Sequence, residues 1–231
     1  MKALRMAFVL LLSLSPVRGE EPLTATEIVR RSDDLNRGAA SYAALTMDII
    51  RPEWKRSLTM EGWSQGASNS FIRILSPRKE KGVTFLKKGR EAWQYVPAID
   101  RTIKIPPSMM LQSWLGSDFT NDDVVRADSV VVDYTHRITG EDESSWVIEA
   151  TPKENAPVVW GKLIFHIAKI NFVSGRVDYY DEEGEKIKTY RSEGIQKIEG
   201  REVPLTTTMV DLKRPGYRTV LLYLLGRKSS K

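Results

Sequence analysis

The chain has 231 residues, 41% hydrophobic and 28% charged, with no cysteine and a formal net charge of +5. Without cysteine there is no disulfide, no thiolate metal site, no cysteine nucleophile and no lipid-modified N-terminal cysteine. Basic and acidic residues alternate along the chain without forming a block, which argues against a nucleic-acid partner.

Met1 to Arg5 is a short basic start, and Met6 to Leu14 is apolar apart from Ser13. Pro16 then breaks any helix, and Val17-Arg18-Gly19 places small or β-branched residues where a signal peptidase reads. This pattern predicts a secretory signal peptide over residues 1–19, leaving 20–231 as one domain. The competing reading is an N-terminal membrane anchor, but the run falls short of the ~20 residues needed to span a bilayer. No later segment is long and apolar enough to span, so no integral span is expected after cleavage. Loss of Lys2, Arg5 and Arg18 lowers the formal charge to +2.

Thr24 to Asn36 reads as an amphipathic helix, with Thr24 or Thr26 as cap, Glu27 in the first turn, Ile28, Val29 and Leu35 near one face, and Gly38 as the stop. Period-two runs follow, separated by Gly, Pro, Asn and Asp. In order they are 42–50, 56–63, 70–75, 82–87, 92–96 and 100–105, then 134–139, 145–150, 162–171, 176–180, 187–192, 201–208 and 218–225. Asp181-Glu182-Glu183-Gly184 and Glu199-Gly200 read as hairpin turns. Short turns and no strand–helix alternation predict a mainly β (α+β) fold with one large, strongly curved antiparallel sheet.

The segment between Ile105 and Asp133 breaks the pattern. Pro107 to Gly116 reads as a short helix followed by a turn, and Thr120 as the cap of a second short helix over 121–126, with Asp122 and Asp123 in its first turn. The insert concentrates Met109, Met110, Trp114, Leu115 and Phe119 between polar flanks. These can plug the open end of a sheet, or cover an apolar cavity as a lid whose flexible Met side chains adapt to varied ligands.

Motifs for catalysis are absent. His136 and His166 lie far apart inside predicted strands, and no metalloprotease, nucleophile-elbow or phosphate-loop pattern occurs. Asp118, Asp122, Asp123 and Asp128 lack the spacing of a calcium loop, and Asp118 and the Asp122-Asp123 pair are better explained as caps and helix-dipole partners. No cofactor, metal site or enzymatic activity is expected.

Phe71-Ile72-Arg73-Ile74-Leu75-Ser76-Pro77, then Lys81 to Leu86, Trp93-x-Tyr95-x-Pro97 with Arg101, and Gly116-Ser117-Asp118-Phe119-Thr120-Asn121-Asp122-Asp123 resemble the LolA-like superfamily. The branch they resemble is that of outer membrane lipoprotein-sorting proteins, and the likeness continues through Val177 to Asp181 and Met209 to Asp211. The resemblance implies an unclosed half-barrel with helices over its concave face, located in the periplasm. It also implies an acylated lipid or lipoprotein cargo, an inner-membrane exporter and an outer-membrane acceptor as partners. A strand arginine that holds the lid shut is a further family feature, and Arg73 falls in the matching stretch. The expected lining is Leu45, Met47, Ile49, Leu58, Met60, Phe71, Phe85, Trp93, Ile148 and Phe165, closed by the insert's Met109, Met110, Trp114, Leu115 and Phe119. Two other readings compete with a carrier: an envelope sensor or interaction module on the same fold, and a lipid-modifying enzyme using His166 or the aspartates.

Overall fold

A computed structural model describes residues 22–37, 40–66, 68–125, 129–198 and 200–224. The expected signal peptide, the Gly38 helix stop, the end of the second short helix at Arg126, Asp128, Glu199 and Leu225 lie outside the described residues.

Helix α1 (Ala25–Arg37) is followed by six strands: β1 (Ala40–Ile50), β2 (Lys55–Gln65), β3 (Asn69–Ser76), β4 (Thr84–Lys88), β5 (Glu91–Val96) and β6 (Arg101–Lys104). After the insert come β7 (Tyr134–Glu141), β8 (Ser145–Pro152), β9 (Lys162–Ala168), β10 (Ser174–Tyr180), β11 (Lys186–Ile198), β12 (Arg201–Asp211) and β13 (Arg218–Tyr223). All thirteen belong to one antiparallel sheet in the order β6-β5-β4-β3-β2-β1-β13-β12-β11-β10-β9-β8-β7. The sheet is not closed into a barrel: β6 and β7 are its two edges, and the chain between them is the insert.

Thr24 caps α1, its hydroxyl accepting from the Glu27 amide at 3.2 Å. Thr26 is not the cap; its hydroxyl meets His136 Nδ1 at 3.1 Å. Ile28 and Val29 are buried in a core formed by β7–β10, with Ile148, Leu163, Phe165, Ile167 and Val177. A second core lies against β1–β5 and is built from Met47, Ile49, Leu58, Met60, Ile74 and Phe85 with Met110 and Trp114 of the insert. Each half of the sheet thus buries its concave face under a different cover.

The insert departs from the sequence expectation. Residues 107–116 do not form one helix; they form two single 3-10 turns, Pro107–Met109 and Trp114–Gly116. Leu115 takes φ 54° and ψ 25°, outside helical space. Side-chain hydrogen bonds compete with the helix here: Ser113 Oγ donates to Ser117 O at 2.5 Å, and Ser117 Oγ donates to Trp114 O at 2.6 Å. An isolated antiparallel bridge joins Ser113 to Thr120. Two short helices follow, α2 (Asn121–Val125) and α3 (Ser129–Val132). Thr120 caps α2 as expected: its hydroxyl accepts from Asp123 N at 3.2 Å, and its own amide donates to Asp123 Oδ2 at 2.7 Å.

Candidate functional site

Pairing register fixes which side chains face the insert. Leu45 is opposite Met60, and Met47 is opposite Leu58 and Leu221. That row continues with Met60 opposite Ile74, so Ile72 and Ile74 of β3 turn inward. Met47, Ile49, Leu58, Met60, Phe85, Met110 and Trp114 form the buried core of this half, and Leu45, Met109 and Leu115 pack partly buried against it. The Phe85 and Trp114 rings meet edge-on, centroids 5.3 Å apart. Ile148 and Phe165 face inward too, but in the other core beneath α1.

Two expected lining residues face the opposite way. Phe71 and Trp93 lie on the convex face, each paired with Leu86. In β3, Phe71 to Leu75 is apolar at both parities apart from Arg73, so alternation cannot choose the face. In β5 the small Ala92 turns inward, where Trp114 approaches and the larger Trp93 has no room. Arg73 is likewise outward and 51% exposed, paired with Glu61 and lying over the Trp63 ring. It does not touch the insert.

The arginine that holds the insert is Arg51, immediately after β1. Its Nη1 donates to Asp118 Oδ2 at 2.9 Å and its Nη2 to Gly116 O at 2.9 Å. The guanidinium lies over the rings of Tyr217 and Trp54. Asp118 is therefore an ion-pair partner and not a helix cap. Thr219 of β13 completes the knot: its hydroxyl accepts from Asp118 N at 2.9 Å and donates to Asp118 Oδ2 at 2.7 Å. Arg56 of β2 adds a hydrogen bond from Nη2 to Leu115 O.

At the other end of the insert, Lys188 of β11 is 4% exposed and pairs with Asp123 of α2. Its ammonium lies 4.4 Å from the Trp160 ring and 4.7 Å from the Tyr179 ring. Burial pushes the Tyr179 hydroxyl well above its usual pKa, with the Asp123 charge adding to it. The insert is thus clamped from both halves of the sheet, by Arg51 and by Lys188. Sequence reasoning missed both, because each partner lies more than 60 residues away and no local pattern marks the pair.

Met110 is 2% exposed and Trp114 4% exposed, so the hollow beneath the insert is occupied by the insert's own side chains. Beside it opens a cleft of about 570 Å³. Its lining mixes the apolar Phe119, Val158, Val159, Trp160 and Ile187 with the charged Asp118, Asp181, Glu182, Glu183, Lys188, Asp211 and Arg214. That volume lies within the range of ~300–1,000 Å³ typical of small-molecule sites. Trp114 Nε1 is buried without a hydrogen-bond partner. Such a group costs ~1–3 kcal/mol, so the closed insert is not optimally satisfied.

Of the residues named for the enzyme reading, Asp118 lines the cleft, where it is paired with Arg51, while neither histidine does. His166 pairs with Val147 and Arg176 on the convex face, while its neighbours Phe165 and Ile167 are buried inside. His136 is held by Thr26 and by Val130 O at 2.9 Å. Among the described residues no group of three or more His, Asp or Glu side chains is placed to hold a metal ion. No described helix is long and apolar enough to cross a membrane.

A family model described as an uncharacterized protein matches residues 66–225. No curated protein matches the sequence. Solved structures that share the fold include the following three. A DUF1329 family protein from Desulfovibrio piger is 22% identical, with a TM-score of 0.78 over 88% of this chain and 93% of that one. A LolA superfamily protein from Nitrosomonas europaea is 24% identical, with a TM-score of 0.75 over 88% of this chain and 92% of that one. An outer membrane lipoprotein-sorting protein domain from Vibrio parahaemolyticus is 18% identical, with a TM-score of 0.75 over 89% of this chain and 94% of that one.

Proposed function

Because the chain belongs to the family matched over residues 66–225 and carries the LolA-like half-barrel, we propose that it is a periplasmic carrier or chaperone for acyl chains. The cargo is a lipoprotein or lipid, taken up beneath the insert for transfer toward the outer membrane. The observation that supports this reading is the insert itself, whose Met110 and Trp114 fill the concave hollow while polar clamps hold both its ends.

Burying one methylene gains ~0.8 kcal/mol, so a chain of ~16 carbons gains on the order of 12 kcal/mol before ordering costs. A permanently open apolar cavity would hold such a chain too tightly to release it. Here the cargo must first displace the apolar side chains of the insert. Fully burying a large apolar side chain is itself worth ~1.5–3 kcal/mol, and breaking a buried ion pair adds to the opposing term. Net affinity is then a difference between two burials, which lets loading and release stay near balance. The cleft beside Phe119 and Trp160 gives the cargo an apolar foothold before the insert lifts.

The test is native mass spectrometry and lipid extraction of protein prepared from the periplasm without detergent. Co-purifying acyl lipid that is lost in a variant with the insert crosslinked to β11 supports the proposal. Protein free of lipid, which takes up no fluorescent fatty acid after delipidation, overturns it.

A further inference from the structure

The convex face of the sheet carries a feature that cargo binding does not use. Across five neighbouring strand pairs, Tyr42 is opposite Trp63, Trp63 opposite Phe71, Phe71 opposite Leu86, Leu86 opposite Trp93, and Trp93 opposite Lys104. Tyr42 to Trp93 form one continuous apolar row on the outer surface of β1–β5, with Lys104 of β6 at its end. The Tyr42, Trp63 and Phe71 rings follow one another at centroid distances of 5.4 and 5.8 Å. Leu86, at the centre of the row, is 45% exposed.

The row sits in the most basic part of the chain. Between Asn69 and Lys104 there are nine Lys or Arg against three Asp or Glu. The rest of residues 20–231 carries twenty-three against twenty-seven. Not all of this charge faces outward: Lys87 is buried on the concave side, and by register the outer face carries Lys55, Arg73, Lys88 and Lys104 against Asp48, Glu61 and Glu91. Arg73 and Lys104 lie over the Trp63 and Trp93 rings, and Lys88 and Arg90 are exposed at the β4–β5 turn. Arg73, Lys104 and Arg90 pair with Glu61, Glu91 and Asp133. Exposed pairs of this kind are weak, so each cation can exchange its carboxylate for a phosphate.

From this combination we infer that the convex face of β1–β6 docks on an anionic phospholipid surface. Indole and phenol rings flanked by Lys and Arg suit the headgroup layer, where the ring enters the apolar boundary and the cation meets phosphate. Lys88 and Arg90 at the β4–β5 turn, with Arg73 and Lys104 over the rings, supply the matching charge. An acidic protein partner is disfavoured because the row runs along an outward-bulging surface with no groove to seat a chain. Docking by this face leaves the insert and the cleft, on the concave side, free to move. The inference is independent of the carrier reading, since vesicle binding and cargo binding are measured separately.

Vesicle co-sedimentation tests it with the full chain, using phosphatidylglycerol mixed into phosphatidylcholine, and phosphatidylcholine alone. The wild type should pellet with the anionic vesicles at low salt, remain in solution with phosphatidylcholine alone, and be released in about 0.5 M NaCl. The Lys88→Glu/Arg90→Glu variant should bind at least roughly tenfold more weakly, as should Trp93→Ala. All three substitutions are on the outer surface, and near-UV circular dichroism verifies the fold of each variant. Should a variant fail that check, Lys88→Gln/Arg90→Gln replaces it. The proposal is overturned if the wild type does not pellet, if it pellets equally with neutral vesicles, or if charge reversal leaves binding unchanged. Retention on an acidic polypeptide without vesicle binding would overturn it in favour of a protein partner.

Discussion

Replacing Asp118 with Asn should free the insert while leaving the sheet folded. The substitution keeps the shape of the side chain but removes the charge that faces Arg51, in a pair whose side chains are 5% and 1% exposed. Losing one partner of a buried ion pair costs ~3–5 kcal/mol. Arg51 keeps its bonds to Gly116 O and Ile50 O, so the lower end of that range applies. At ~1.4 kcal/mol per factor of ten, the open population of the insert should rise on the order of a hundredfold. The native chain has no cysteine, so a Met110→Cys background offers a single thiol at a buried position. Its reaction with a thiol reagent then reports each lifting of the insert, provided reclosing outpaces labelling. Labelling should be about a hundredfold faster once Asp118→Asn is added to that background, and its urea dependence should be shallower than that of global unfolding. If labelling accelerates only in step with global unfolding, the pair stabilises the whole fold, and the latch argument fails.

Trp114→Ala should cost ~3–5 kcal/mol in urea unfolding and open a dye-binding void beneath the insert, because the indole fills the hollow against Phe85. A loss below ~1 kcal/mol would show that the hollow collapses without it. Gly161→Ala should abolish stable folding, since its Cβ would lie 2.3 Å from Asp181 O and 2.8 Å from Glu182 Cα. These are backbone atoms, so a near-native melting temperature for that variant would refute the packing described there. Burial holds the His136 imidazole below its usual pKa of 6.5. The unfolded chain therefore takes up this proton more readily, and stability is fullest above that value and declines as pH falls through it toward the folded-state pKa. His136→Gln should flatten this dependence in urea midpoints measured from about pH 7.5 to 5.5. An unchanged profile would assign the proton uptake elsewhere.

Strand positions were readable because alternation and turn residues agree along most of the chain. The largest difference in extent is at β11, expected to stop at Ser192 but running to Ile198, while β9 ends at Ala168 instead of Asn171 and β12 runs past Thr208 to Asp211. The second half of β11 is polar and exposed, and it is carried by backbone pairing with β12, which no side-chain pattern reveals. Which face turns inward was legible where one parity is clearly apolar, as at Met47 and Ile49. It was not legible at Phe71, where both parities of β3 are apolar, or at Trp93, where the large side chains of β5 face outward and the small Ala92 faces in. The insert was recognisable by composition, but Ser113 and Ser117 broke the helix its periodicity suggested. The clamps were invisible for a different reason: Arg51 and Lys188 gain their roles only when the insert folds back over two distant strands.

The strand order has a consequence for how the molecule assembles. β1 pairs on one side with its neighbour β2 and on the other with β13, Leu45 meeting both Met60 and Tyr223. Two meanders can each zip up from local hairpins, but the seam that unites them waits for the last strand. Long-range closure of this sort is slow, and until it occurs one rim of β1 is an unguarded edge open to intermolecular pairing. Deleting Arg218 to Tyr223 would therefore do more than shorten the sheet: it would leave two half-built fans tethered by a flap, a species destined for proteolysis or aggregation.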